Sequence, residues 1–552
     1  MKRNAMVIVV FTLIALTATP VLAQSNWVEK FLGRYKPIDV QYPAAAGTSQ
    51  QQLADMIRSG QLPLTVGDMI NPILSNNLDI GLNRLSPLSS RFVLDTMYRR
   101  FEPSINVSAL VNRNTSPSTS KLSGDSISNL SHTYTIGFGQ TLLSGTDLAV
   151  DFSMNRSSTN NPFSSFNPYW SGSIRYSFNQ HLMRDLGRNI NTRQIRQSEN
   201  NNKISDIQFE ENVINLVVQA QKAYWDLVFA AEDIKVKQRS MDLAQKTLSD
   251  NQKQVNVGTM APIDLVQAES EVATRREQLV VATFSQTQDE DQVKKLITSQ
   301  ADPGMVLARL MPVQTLRRPS AGDVPAITDA IRTALENRPE MRQLALELKN
   351  KEIDVEYTRN QLLPNVDLSG SYLQSGLGGT EVIRDPTNFF SGRVLGIVPG
   401  GIGDAFGQMF RYNYTGYSLG LSVQIPIRNR AAQADNAHAA TERKIAENRI
   451  NTTAQQIALE VRNALTQVEM NRARIEAAEK SRELAERRLE SEQKKFDLGA
   501  STVRFVLEEQ RNVAQAQSNE ISAFVNYTKA LVDVERATGM SLNKNNVEVK
   551  GQ

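Results

Sequence analysis

The chain has 552 residues, and its 61 Lys and Arg stand against 58 Asp and Glu for a formal charge of +3. That balance argues against a nucleic-acid surface, and the absence of Cys excludes disulfides, thiolate nucleophiles, Fe–S clusters and a lipidated N-terminal Cys. With 40% hydrophobic residues the composition permits folded domains, while three scattered His offer little to a metal centre.

Lys2-Arg3, an apolar run from Met6 to Ala18, a break at Pro20 and the small residues Val21 and Ala23 read as a secretory signal peptide spanning 1–23. Its apolar core is shorter than the ~20 residues of a spanning helix, and no later segment is apolar enough to be one. Residues 24–62 mix Pro, Gln and Gly with little periodicity, so an extended, weakly ordered arm is expected there.

Beyond the arm, organisation shows where Gly and Pro are missing. Arg188 to Val257 contains neither, nor does Ile263 to Asp302; the same long and shorter gaps recur from Ile427 to Leu498 and from Ala500 to Thr538. Residues match across the halves at a constant shift, as in Leu243/Leu484, Leu248/Leu489, Lys253/Lys494, Gly258/Gly499 and Val272/Val513. The chain is therefore duplicated, with a first repeat at 63–302, a linker at 303–322, a second repeat at 323–542 and a tail at 543–552.

Each repeat opens with a short helix, an Asn-rich turn and a longer helix ended by Pro103 or Pro364. Each closes with a helical hairpin, at 188–302 and 427–540, rich in good helix formers. Ile207, Ile214, Val217, Tyr224, Val228 and Ala231 form a coiled-coil seam, as do Ile457, Val461, Ala464, Val468 and Ile475. A helix of ~65 residues is about 100 Å long, so these hairpins must pack lengthwise against others.

Between the opening helices and the hairpin, the period changes to strict alternation, over about 104–178 and 365–425. Ile105, Val107, Ala109 and Val111 alternate with Asn106, Ser108 and Leu110, and Tyr417, Leu419, Leu421, Val423 and Ile425 with Ser418, Gly420, Ser422 and Gln424. Strands of ~9–11 residues with one apolar and one small, polar face fit a transmembrane barrel around a wet lumen. A soluble sheet with one solvated face is the alternative, and the signal peptide favours the barrel. One chain has few strands for closure, and open edges in lipid leave backbone groups unsatisfied, so several copies must close the sheet as a ring. The first repeat offers four strands, including Tyr134 to Gln140 and Leu148 to Met154. Two-strand repeats keep the duplication consistent, so the extra pair is expected as a hairpin outside the barrel, with added staves as the alternative. The Gly-rich stretch from Gln374 to Thr415 reads as a long exterior loop.

These features together resemble the TolC-type outer membrane efflux proteins, from Leu64 to Leu542. The carriers are the openings LTVGDMINPILSNNLDI and ITDAIRTALENRPEM, the AYWDLVFA segment around Trp225, the turns VNVGTMAPIDLVQAE and FDLGASTVRFVLEEQ, and the strand exit SVQIPIRNRAAQAD. Their order and duplication are the specific signal. The resemblance implies a mixed fold, in which a homotrimer joins a transmembrane β-barrel to a long α-helical coiled-coil tunnel in the periplasm. It also implies an outer-membrane exit duct of a tripartite efflux or type I secretion system, coupled to an inner-membrane transporter through a periplasmic adaptor. A periplasmic adaptor or other coiled-coil structural protein is the alternative, but would show one unduplicated hairpin.

No chemistry site emerges. His132, His181 and His438 have no second His at i+3 or i+4 for a metal pair, so no enzyme activity and no cofactor are expected. The hairpin turns Val257, Gly258, Thr259 and Leu498, Gly499, Ala500 need Gly for the backbone alone; the resemblance adds docking of the adaptor. Relatives carry acidic residues six and nine positions beyond the second Gly, where they constrict the periplasmic mouth. Phe505 and Glu508 occupy those positions here, and Asp264 and Gln267 their counterparts in the first repeat. The resemblance thus implies a constriction of Phe505, Glu508, Asp264 and Arg504. In the bland alternative Phe505 fills a helix seam, and Arg504 and Glu509 form surface pairs worth under about 1 kcal/mol.

Overall fold

The computed structural model describes residues 33–40, 42, 57, 60–118, 125–258, 260–298, 303–320, 322–385, 387 and 393–547. The signal peptide and most of the expected arm lie outside these residues. The chain divides into two units, Met1–Ala45 and Ala46–Gln552; the first is described only as a turn from Gly33 and the extended residues after it.

In chain order the second unit runs β1 (Gln61–Leu64), α1 (Val66–Asn76), α2 (Leu78–Met97), β2 (Ser104–Pro117), β3 (Ser126–Thr141), β4 (Thr146–Thr159) and β5 (Phe166–His181). The long α3 (Arg193–Asn256) and α4 (Pro262–Ile297) follow, then β6 (Arg309–Pro312), α5 (Ile327–Asn337) and α6 (Pro339–Asn360). The chain continues with β7 (Asn365–Arg384), β8 (Val394–Val398), α7 (Ile402–Phe410), β9 (Tyr414–Gln424), α8 (Arg430–Asp497) and α9 (Val503–Ala537). Among the described residues no helix is long and apolar enough to cross a membrane.

The duplication survives to the helix ends. α3 and α8 stop at Asn256 and Asp497, and α4 and α9 restart at Pro262 and Val503, all at one shift. With 64 and 68 residues, α3 and α8 are each about 100 Å long at 1.5 Å per residue. Two shorter helices lie along each. α4 and α2 pack on α3; α9 and α6 each pack on both α3 and α8.

The short helices meet end to end, and Asn makes the join. The Asn77 side chain accepts from the Asp79 and Ile80 N–H groups at the start of α2, while its Nδ2 donates to the Leu296 carbonyl at the end of α4 at 3.0 Å. Asn76 Nδ2 donates to the Ile297 carbonyl at 3.2 Å. A capping residue thus satisfies two helix termini at once. In the second repeat the residue before α6 is Arg338, whose guanidinium holds Glu340 at 2.5 Å and Glu460 of α8 at 2.6 Å.

Where the columns join, the core is thickest. Val217, Tyr224, Leu227 and Val228 of α3 pack on Leu62, Leu64, Ile73, Ile297 and Leu310. β1 pairs with β6 in parallel, so Leu62 belongs to a buried strand and not to an extended arm, and residues 303–322 hold a strand where a plain linker was expected. The Tyr224 hydroxyl donates to the Leu64 carbonyl at 3.0 Å and accepts from the Gln314 N–H at 3.2 Å.

A second core joins Ala330 and Ala334 of α5 to Val461, Leu465 and Val468 of α8 and to Tyr527 of α9. The Tyr527 hydroxyl donates to Asp323 at 2.9 Å, which also takes the Ser320 N–H at 2.8 Å and Arg317 at 2.7 Å. Burial alone would raise the Asp323 carboxyl, but these donors outweigh it and hold it below the ordinary carboxylate range. Burial and the same hydrogen bond push Tyr527 up to about 12. A depressed carboxylate stabilises the fold above its unfolded pKa of about 3.9 and loses that contribution as pH falls through the folded value. Asp323→Asn should therefore lower the melting temperature at pH 7, with the difference from wild type closing below about pH 4; circular-dichroism melts across that range check it.

All the strands from β2 to β9 except β6 form one antiparallel sheet. β2, β3, β4, β5 and β7 pair in that order, and the far edge of β7 pairs with β9 below and β8 above. The extra pair of the first repeat is thus not a hairpin outside the sheet. β3 and β4 are paired on both sides along nearly their whole lengths, because their apolar alternation is in phase with that of their neighbours and joining the sheet satisfies every ladder group. The Gly-rich stretch from Gln374 is likewise not one loop. β7 continues to Arg384, and its Gly376 and Gly378, with Gly172 of β5, floor a trough that receives Ala405 and Met409 of α7. Phe406 stacks on Phe152 at 6.1 Å between centroids, and Phe410 stacks on Phe406 at the same distance. Glycine is used here for close approach of a helix rather than for a turn.

Candidate functional site

The hairpin tips owe their shape to glycine. Gly258 and Gly499 have φ of +82° and +74°, a left-handed conformation that strains any residue with a Cβ. Leu498, Gly499 and Ala500 return their N–H groups to the carbonyls of Lys494, Phe496 and Lys495 at 3.2, 2.9 and 2.8 Å, which closes the orphan carbonyls of the last turn. Val257 and Leu498 stand 79% and 84% exposed at the apices, and Ala500 is exposed beside Leu498. Thr259 lies outside the described residues.

The two tips are bound to each other. Ala268 of α4 and Val503 and Leu507 of α9 are buried together, flanked by Leu248, Met260 and Phe496. That contact fixes which face of α9 is free: Val503, Val506, Leu507 and Gln510 are buried, while Arg504, Phe505, Glu508 and Arg511 are exposed. Phe505, Glu508 and Arg504 therefore share one outward face, and Asp264 sits half-buried in the first turn of α4. Phe505 is 49% exposed within the chain, so it does not fill the seam between these helices. The surface pairs of Arg504 and Glu509 that go with the seam-filling alternative are not seen. Among the described residues neither makes an ion pair, and Glu509 Oε2 is shielded from solvent without a hydrogen-bond partner.

A charged tie above the tips belongs to no motif of the sequence. Glu271 of α4 holds Arg511 of α9 at 3.1 Å and Arg275 at 2.8 Å, and the buried Arg275 also donates to Ser240 of α3. It locks the first hairpin to the second. The available signal is a break in the duplication: the positions equivalent to Arg275 and Arg511 are Ala516 and Ser270, so neither charge is part of the repeat.

The sheet forms the other half of the site. Ile105, Phe138, Val150, Tyr176, Tyr372 and Tyr417 lie in one row across six strands. The row beside it, Ser104, Gly139, Ala149, Ser177, Ser371 and Ser418, points to the opposite face. One face is thus apolar and aromatic, the other small and polar, as a wall between lipid and water requires. Both outer strands, β2 and β9, are exposed from end to end.

The edge helices carry exposed apolar stripes as well, with Ile263, Val266, Val280, Val281 and Phe284 on α4 and Ile445, Leu459, Met470 and Leu484 on α8.

Comparison with known proteins matches residues 143–299 and 330–540, one stretch in each repeat, to the family described as outer membrane efflux protein. The chain belongs to the outer membrane efflux protein family. Comparison with curated protein sequences finds no match. Among solved structures, this efflux protein is similar to the CmeC outer membrane channel of Campylobacter jejuni, with a TM-score of 0.60 and 16% identity over 92% of this chain and 90% of that one. It is also similar to VceC of Vibrio cholerae, with a TM-score of 0.60 and 12% identity over 90% and 99% of the two chains. The open state of the MtrE outer membrane channel of Neisseria gonorrhoeae gives 0.58 and 17% over 86% and 89%. At such identities these likenesses carry the fold, and the family match carries the membership.

The efflux protein is accordingly an exit duct of the outer membrane, with its helical tunnel in the periplasm, and not a periplasmic adaptor. Its family is one of passive channels whose members form trimers that associate with adaptor and inner-membrane pump proteins.

Proposed function

We propose that three copies of this efflux protein close into one passive conduit, which a periplasmic adaptor joins to an inner-membrane transporter at the hairpin tips. The supporting observation is that the two free edges of the chain are unlike: β2 and α4 on the first-repeat side, β9 and α8 on the second. Unlike edges pair head to tail, and such contacts close into a ring. The apolar stripes of α4 and α8 then cover each other in the tunnel wall. Val257 and Leu498, exposed on glycine turns, supply the apolar contact for the adaptor. Recovery from urea-washed outer membranes as a heat-modifiable oligomer is the expected result, and recovery in the soluble periplasm would sink the proposal.

The outward face of α9 supplies the constriction in this reading. Three Phe505 rings around the axis close the mouth by dewetting, and three Glu508 carboxylates beside them favour cations, with Asp264 and Arg504 at the flanks. In planar bilayers Phe505→Ala should raise single-channel conductance or the open fraction, and Glu508→Gln should weaken cation selectivity. Unchanged currents in both, with trimers intact, would place the constriction elsewhere.

A further inference from the structure

We propose that each chain gives six staves to the shared barrel, so that three copies close a wall of eighteen strands. The inference rests on the three-copy conduit proposed above and concerns what its barrel is made of. All of β2, β3, β4, β5, β7 and β9 have 11 residues or more, and about 9–11 suffice for a tilted strand to cross the hydrocarbon core. None is too short to be a stave.

The phase of the alternation carries the argument. A one-residue slip between neighbouring strands would send every apolar side chain of one strand to the polar face. Along the row from Ile105 on β2 to Tyr417 on β9 no slip occurs, and the one register shift among these pairs, between Phe166 and Tyr169 at the far end of β5, lies beyond that row. A hairpin standing in water beyond the barrel would have no reason to keep an apolar face in phase with the lipid face of its neighbours. The segments matched to the family contain β4, β5, β7 and β9, whereas β2 and β3 precede Leu143. This chain therefore carries a pair of strands outside the matched part, and the pair lies at the sheet edge that must meet another copy.

In lipid the N–H and C=O groups along that edge need partners. The complement that the fold offers is the free edge of β9 in a second copy. Barrel diameter grows roughly linearly with strand number, so the wall is about half again as wide as one built from two strands per repeat. A barrel of that size holds an open aqueous channel, which leaves the restriction of flow to the helical end of the duct.

Because the chain has no Cys, introduced pairs report contacts without background. Tyr417→Cys on β9 is combined in turn with Cys at Ile105, Val107, Ala109 or Val111 on β2, and in a parallel series with Cys at Leu148, Val150, Phe152 or Met154 on β4. Disulfides need Cα atoms about 4.4–6.8 Å apart, so only strands adjacent across the copies will join. Oxidised outer membranes should give a covalent ladder ending at three chains for one member of the β2 series and none for the β4 series. Cross-linking in the β4 series, a ladder beyond three, or no cross-linking to β2 in heat-modifiable oligomers recovered from the outer membrane would overturn the six-stave barrel. Absence of the protein from the outer membrane would overturn the conduit reading itself, and the strand count with it.

Discussion

Replacing Tyr224 by Ala is expected to cost about 3–5 kcal/mol, the range for deleting a large aromatic from a packed core. Tyr224 is fully buried among α3, β1 and the chain after β6, and its ring meets Trp225 edge-on at 5.6 Å. Its hydroxyl is the link that the parallel ribbon β1–β6 makes to the long helix, through Leu64 and Gln314. Tyr224→Phe separates packing from hydrogen bonding. It keeps the ring, leaves the Gln314 N–H without its partner and leaves the Leu64 carbonyl with the Val313 N–H alone, a loss of about 1–3 kcal/mol. Urea titrations of the detergent-solubilised protein, followed by far-UV circular dichroism and by retention of the oligomer on gels, should rank wild type above Phe and Phe above Ala. Equal stability of Phe and wild type would show that the ribbon is held by its apolar contacts alone.

The second large effect is expected at Gly376. A Cβ added there would lie 2.1 Å from the Ala405 carbonyl oxygen and 3.0 Å from Met409, and the first of these is helix backbone that cannot rotate away. Overpacking of this kind costs about 1–3 kcal/mol or more, and the cheapest escape is for α7 to leave the wall while β7 keeps its ladder. Gly376→Leu should therefore free the segment around Arg411, at the end of α7, and raise its cleavage by trypsin on intact cells tenfold or more, since each ~1.4 kcal/mol is a factor of ten. Gly396→Leu on β8, where an added Cβ meets nothing within 4 Å, is the control and should change little. A trypsin rate unmoved by Gly376→Leu would mean that α7 is not held by the glycine trough.

Much of this architecture was legible because it repeats. Gly258 and Gly499 mark helix ends that the structure places at matching positions in both halves. The seam residues Ile214, Val217, Tyr224 and Val228, and their analogues Ile457, Val461, Val468 and Ile475, are buried, because a 3.5-residue apolar period has one stable solution, a neighbouring helix. The strand alternations likewise announced one wet and one apolar face. β1 and β6 escaped notice because four residues are too few to establish a period, and their pairing joins chain segments almost 250 residues apart. The constriction residues were placed by resemblance to a motif, and the fold adds only that Phe505, Glu508 and Arg504 share an outward face.

Local patterns thus settled the long helices and their glycine ends, and which face of the longer strands is apolar. These are properties of a stretch of chain a few residues to a few turns long, where spacing and glycine geometry act directly. Which strand lies beside which was decided by the sheet as a whole. β3 and β4 could pair with each other as an isolated hairpin or with β2 and β5 as staves, and only the second choice gives every backbone group in the interior of the sheet a partner. The same holds for Gly376 and Gly378: their lack of a side chain reads locally as a loop, and becomes a strand because α7, a helix more than twenty residues farther along the chain, needs the space that a Cβ would fill.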